Sequence, residues 1–149
     1  MKRRALLIIL FLIPALAGFS QISIRIFART RPSVLFFTAD RGSFVLHDGE
    51  AGEVRLSTGD VMAVSMLGKR IIYRTLSGTG GAADSLTFTP AAADALFSLR
   101  APGGEEAQKI LEGMLKIKPF PGSLQILNIT TVENCLPGVV RAEAGKFGP

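Results

Sequence analysis

Apolar and polar residues alternate along most of the chain, and the dominant period is two. In residues 22–26, Ile22, Ile24 and Ile26 share one side while Ser23 and Arg25 take the other, the pattern of a half-buried strand. Residues 33–38 follow the Arg31-Pro32 turn and carry Val34, Leu35, Phe36 and Phe37. Residues 43–46 follow Arg41-Gly42, and residues 53–56 follow the Asp48-Gly49 and Ala51-Gly52 turns. Residues 61–66 and 70–75 flank Gly68-Lys69, which has the composition of a tight hairpin turn. Residues 86–89 and 96–99 are further strands, with a short helical turn expected over 90–94 between them. Short strands recurring roughly every 8–12 residues predict a meander, sandwich or small barrel.

Ser77-Gly78-Thr79-Gly80-Gly81 is rich in glycine but lacks the Gly-Lys-Ser/Thr ending of a phosphate-binding loop, so a flexible loop is expected there. Residues 105–117 are ambiguous. Ala107, Ile110, Leu111, Met114 and Leu115 form a helical stripe, yet Gly113 interrupts it, and Leu111, Leu115 and Ile117 also suit a strand. After the Lys118-Pro119-Phe120-Pro121-Gly122 turn, residues 124–129 read as a strand. Thr130-Thr131-Val132-Glu133 then fits a capping box, with the Thr130 hydroxyl accepting the Glu133 backbone N–H. Val132, Cys135, Leu136, Val139 and Val140 continue as one apolar helical face, which Pro137 is expected to kink.

The first twenty residues follow a different logic. Lys2, Arg3 and Arg4 precede an unbroken apolar run, residues 5–13, and Pro14 disrupts it. Ala15-Leu16-Ala17 and Gly18-Phe19-Ser20 each offer small residues at the two positions a signal peptidase requires, so residues 1–20 read as a secretory signal cleaved after Ser20. Cleavage after Ala17 is the competitor. An uncleaved anchor is disfavoured because a membrane span needs ~20 apolar residues. Export to the periplasm, cell envelope or exterior is the expected outcome, with membrane attachment only through this segment.

Composition narrows the chemistry. The 149 residues suit one ordinary domain or a small domain and part of another. Lys2, Arg3 and Arg4 account for three of the +5 formal charges, and the remaining cations form no dense stripe along the sequence, which argues against a nucleic-acid partner. His47 and Cys135 are the only histidine and the only cysteine, so neither a disulfide nor a His/Cys metal centre can be assembled, and no metal or cofactor is expected. His47 reads as a polar turn residue.

The stretch Leu127-Asn128-Ile129-Thr130-Thr131-Val132-Glu133-Asn134-Cys135-Leu136-Pro137-Gly138-Val139-Val140-Arg141-Ala142-Glu143 resembles the signature of the SpoIID/LytB family. That signature is an apolar strand with Asn, followed by Glu-x-Tyr-Leu-x-Gly-Val-Val-x-x-Glu. Glu133, Leu136, Gly138-Val139-Val140 and Glu143 match in register over about twenty residues. Cys135 stands where the family usually has Tyr, and Ala144-Gly145-Lys146 replaces the common Met-Pro. Residues 112–117 are loosely similar to the family's preceding Gly-containing strand, and the resemblance therefore favours a strand from about Gly113. The implied organisation is a signal over 1–20, a β-rich domain over 21–100 and the start of a SpoIID/LytB-type domain over 101–149. The fold class expected is mainly β (α+β), ending in a short helix.

The family includes a lytic transglycosylase of sporulation and enhancers of cell-wall amidase. The resemblance implies that Glu143 is the catalytic glutamate, peptidoglycan glycan strands the substrate and an amidase a possible partner. Family members continue past this glutamate with a long helix, whereas the sequence stops at Pro149, so a truncated, inactive chain is the expectation. A non-catalytic secreted β-rich module binding the wall or a partner enzyme is the alternative.

Overall fold

The computed structural model describes residues 20–50, 52–103 and 108–134. Among them are twelve strands: β1 (Gln21–Ile26), β2 (Val34–Arg41), β3 (Phe44–His47), β4 (Glu53–Leu56), β5 (Val61–Leu67), β6 (Arg70–Thr75), β7 (Gly80–Ala83), β8 (Leu86–Pro90), β9 (Leu96–Arg100), β10 (Lys109–Glu112), β11 (Met114–Phe120) and β12 (Ser123–Thr131). They form two antiparallel six-stranded sheets, ordered β1-β12-β11-β8-β3-β4 and β10-β9-β2-β5-β6-β7. One turn of helix follows at 132–134. The described residues are mainly β, as the alternating pattern requires, and close on this short helix.

The two sheets pack face to face through the inward set of each alternation. Leu35, Phe37 and Ala39 of β2 are fully buried, as are Leu86 and Phe88 of β8 and Leu115 and Ile117 of β11. Phe37 sits at the centre. Its ring stacks on Phe88 of the opposite sheet at 4.4 Å and 22°, and on Phe97 of its own sheet at 5.4 Å and 20°. It meets Phe44 edge-on at 5.4 Å and 84°. Such offset and edge-to-face pairs add to the burial of apolar area itself.

Three expectations change. The described residues of 101–131 are not a unit apart from 21–100: β12 pairs with β1, β11 with β8 and β10 with β9, and Leu115, Ile117, Leu124 and Ile126 belong to the same core. The glycine cluster is partly a strand, because Gly80 and Gly81 pair with Arg74 and Tyr73 to make the edge strand β7. Pro90 ends β8 and residues 91–94 form a bend and turn with no helix, although the Ala95 N–H does reach the Ala92 carbonyl at 3.2 Å. Residues 109–112 settle the ambiguity of 105–117 as strand, since β10 finds its hydrogen-bond partner in β9.

The two flanks of the sandwich differ. On one, the turn between β3 and β4 is joined to β6 of the opposite sheet by polar contacts. Asp48 turns the β3–β4 hairpin by accepting the Glu50 and Gly52 N–H groups through Oδ1, each at 3.0 Å, and its Oδ2 accepts the Tyr73 hydroxyl at 3.0 Å. Arg70 adds a 2.7 Å ion pair to Glu50 and a 3.3 Å pair to Asp84. On the other flank, the chain leaves one sheet for the other between β10 and β11, at Gly113.

Candidate functional site

The residues that carry the motif begin on β12. Its inward set is Leu124, Ile126, Asn128 and Thr130, so the apolar alternation becomes polar towards the end of the strand. Asn128 is only 3% exposed. Its amide nitrogen donates to the carbonyls of Glu112 and Met114, at 2.8 and 3.2 Å. These two carbonyls flank Gly113, the corner at which the chain changes sheets. One primary amide with two N–H bonds reaches both carbonyls and ties the corner to β12.

Gly113 has φ 90°. A Cβ at this position would run into the carbonyl oxygen of Ile129, so the corner demands glycine both for its backbone conformation and for room. Asn128 and Gly113 are thus two halves of one device. Asn128-Ile129-Thr130 also matches a glycosylation acceptor pattern, but the buried, doubly donating amide is committed to the corner.

Beyond Ile129 the capping geometry differs from expectation by one residue. Thr130 is buried on the inner face of β12, and the strand continues through Thr131, which pairs with Gln21. The Val132 N–H then reaches the Ser20 carbonyl at 3.3 Å. The hydroxyl facing the helical turn is that of Thr131, which accepts the Asn134 N–H at 3.4 Å. Pairing with β1 holds Thr130 in the sheet and shifts the cap forward. Glu133 is exposed and makes no reciprocal contact among the described residues.

An open groove of about 260 Å³ lies beside this handover, lined by Thr89, Pro90, Gly113, Met114, Thr131 and Asn134 among others. Its described walls mix hydroxyl and amide groups with apolar surface, and none of them is a carboxylate. Glu143, the candidate catalytic residue, lies outside the described residues, as do Cys135, Pro137, the apolar face 139–140 and the signal segment 1–19.

The remaining candidates are local in their roles. His47 ends β3 and faces Glu53 across the hairpin, with Nδ1 3.4 Å from Oε1. Among the described residues no group of three or more His, Cys, Asp or Glu side chains is arranged to hold a metal. Hydrogen bonds from the Glu50 backbone N–H and the Tyr73 hydroxyl hold the Asp48 carboxyl below its usual range against an opposing burial cost. Burial, followed by the Asp48 contact, pushes the Tyr73 phenol up. This pair fastens the sheets together and faces no cavity described above. Compared with family models, with curated proteins and with solved structures, the chain finds no match in any of the three.

Proposed function

We propose that this chain is an exported cell-envelope protein of the SpoIID/LytB type that acts on peptidoglycan glycan strands, with Glu143 as its acid–base carboxyl. The observation that supports this reading is the Asn128–Gly113 corner. The motif requires a Gly-containing strand, an apolar strand with Asn and a following helix, and the fold sets the first two against each other with the third opening directly from β12. The adjacent groove offers hydroxyl and amide groups of the kind that hydrogen-bond sugar hydroxyls.

The chemistry needs one carboxyl used twice. In its protonated form Glu143 gives its proton to the glycosidic oxygen as the C1–O bond breaks. As carboxylate it then takes the proton of the same sugar's 6-hydroxyl, whose oxygen bonds to C1. The products are a shortened strand and a 1,6-anhydro sugar, with no water consumed.

A second reading rests on the groove's hydroxyl and amide groups, which suit sugar binding by themselves. In that reading the chain is a non-catalytic module that binds wall glycan or an amidase. Purified sacculi separate the two. Glu143→Gln is expected to abolish release of anhydro-muropeptides while leaving retention on sacculi unchanged. Unchanged release by Glu143→Gln removes the catalytic assignment. Retention without release by the native sequence selects the binding module, and the absence of both removes the peptidoglycan reading altogether.

A further inference from the structure

On the flank opposite the Asp48–Tyr73 contact, the edge strands β1 and β10 border a hollow of about 410 Å³ lined by Arg25, Ile26, Phe27, Ala28, Arg29 and Lys109. Three of these six residues are cations and none is an acid. Among the described residues Arg25, Arg29 and Lys109 form no ion pair, whereas Arg41 and Arg70 each meet carboxylates. Among the described residues no carboxylate compensates these cations, and the one further partner is the Phe120 ring, whose centroid lies 5.4 Å from the Arg25 guanidinium carbon.

The turn that carries Arg29 is held firmly. Phe27 and Arg31 both adopt positive φ, 54° and 46°, where bulky residues rarely sit. The Arg31 N–H closes back on the Phe27 carbonyl at 3.1 Å. The Phe27 ring is buried in the core, and the carbonyl of Pro32, which follows Arg31, accepts the Leu124 N–H at 2.7 Å. Arg29 therefore projects from a turn anchored at both ends, which lowers the ordering cost of binding. Cations on edge strands also discourage sheet-to-sheet pairing, and that accounts for Arg25 and Lys109. It leaves Arg29 unexplained, since Arg29 lies on a loop.

We propose that this hollow binds a phosphate-bearing ligand of at least two negative charges, gripped by the Arg25 and Arg29 guanidinium groups with Lys109 as a third cation. Guanidinium forks match oxyanion geometry, and three cations around one hollow suit a multiply charged group better than a single carboxylate. The site shares no residue with the groove beside Thr131, so the inference stands apart from the proposed activity. A soluble phosphate polymer of the envelope and a phospholipid headgroup present the same chemistry.

Tripolyphosphate titrated into the full chain at low salt, followed by the Nε–H resonances of its arginines, provides the test. Saturable shifts at Arg25 and Arg29 that diminish with added salt are expected. Arg29→Gln combined with Lys109→Gln should weaken binding by about tenfold or more, whereas Arg29→Lys, which keeps the charge but loses the fork, should weaken it less than that double substitution. Arg74→Gln, an exposed cation on β6, should have no effect. Sedimentation with phosphatidylglycerol but not phosphatidylcholine vesicles would assign the phosphate to lipid, and tripolyphosphate binding without vesicle binding would assign it to a soluble polymer. Absence of both kinds of binding, or an equal loss in Arg74→Gln, overturns the site.

Discussion

Single side chains carry much of the specificity of this fold. Asn128→Leu would remove the amide that donates to both corner carbonyls, and a loss of about 2–4 kcal/mol is expected in urea unfolding. Gly113→Ala should be at least as damaging, because it combines an unfavourable φ with a collision against Ile129. Asp48 gives a pH signature. Its folded carboxyl titrates below the usual value, so its contribution is complete above the unfolded pKa near ~4 and disappears as pH falls through the depressed value. Tyr73 has the opposite sign: its folded pKa is raised, so its contribution is complete below about 10 and declines as pH rises beyond it. Melting temperatures of Asp48→Asn measured from pH 2 to 7 should show a shallower acid limb than the native chain. Little of this was legible beforehand. In the sequence Asn128 is a letter of the motif, and Gly113 interrupts a helical stripe and opens a strand, but a hydrogen bond between residues so distant in sequence leaves no local pattern.

Strands follow the alternation closely, and departures occur where partners override local composition. The stripe over 105–117 satisfied both periods because Leu111 and Leu115 belong to either, and pairing with β9 and β12 decides the conflict for the described part. Glycine-rich 80–81 reads as loop on propensity, yet it serves as edge strand because β6 leaves an open ladder beside it. Here glycine has a packing reason: a Cβ on Gly81 would stand 2.8 Å from the Tyr73 hydroxyl oxygen. Gly81→Ala is therefore expected to displace that phenol from Asp48 and cost about 1–3 kcal/mol, measured by thermal unfolding. In the Tyr73→Phe background, where no hydroxyl remains to collide, the same substitution should cost clearly less. The cap at the end of β12 was legible in kind, and its shift from Thr130 to Thr131 follows from pairing with Gln21, which sequence spacing does not encode.

At the scale of the molecule, the mainly-β class was written in the period, while the assembly of strands from both ends of the chain into one core was not. Phe37 joins the two sheets, and Phe37→Ala should cost about 3–5 kcal/mol in chemical denaturation, consistent with a cavity among Phe44, Phe88 and Phe97. The cationic hollow was invisible in sequence because Lys109 is brought to Arg25 and Arg29 only when the two edge strands meet; the charges appeared scattered until the fold collected them. The contact between Tyr73 and Asp48 has one more consequence. Tyr73 is the only tyrosine and the chain has no tryptophan, so its intrinsic ultraviolet fluorescence originates chiefly from a phenol bonded to a carboxylate. A phenol in such a bond emits weakly, and separation of the two sheets along that flank would brighten it, giving an optical record of the sandwich opening without any added label.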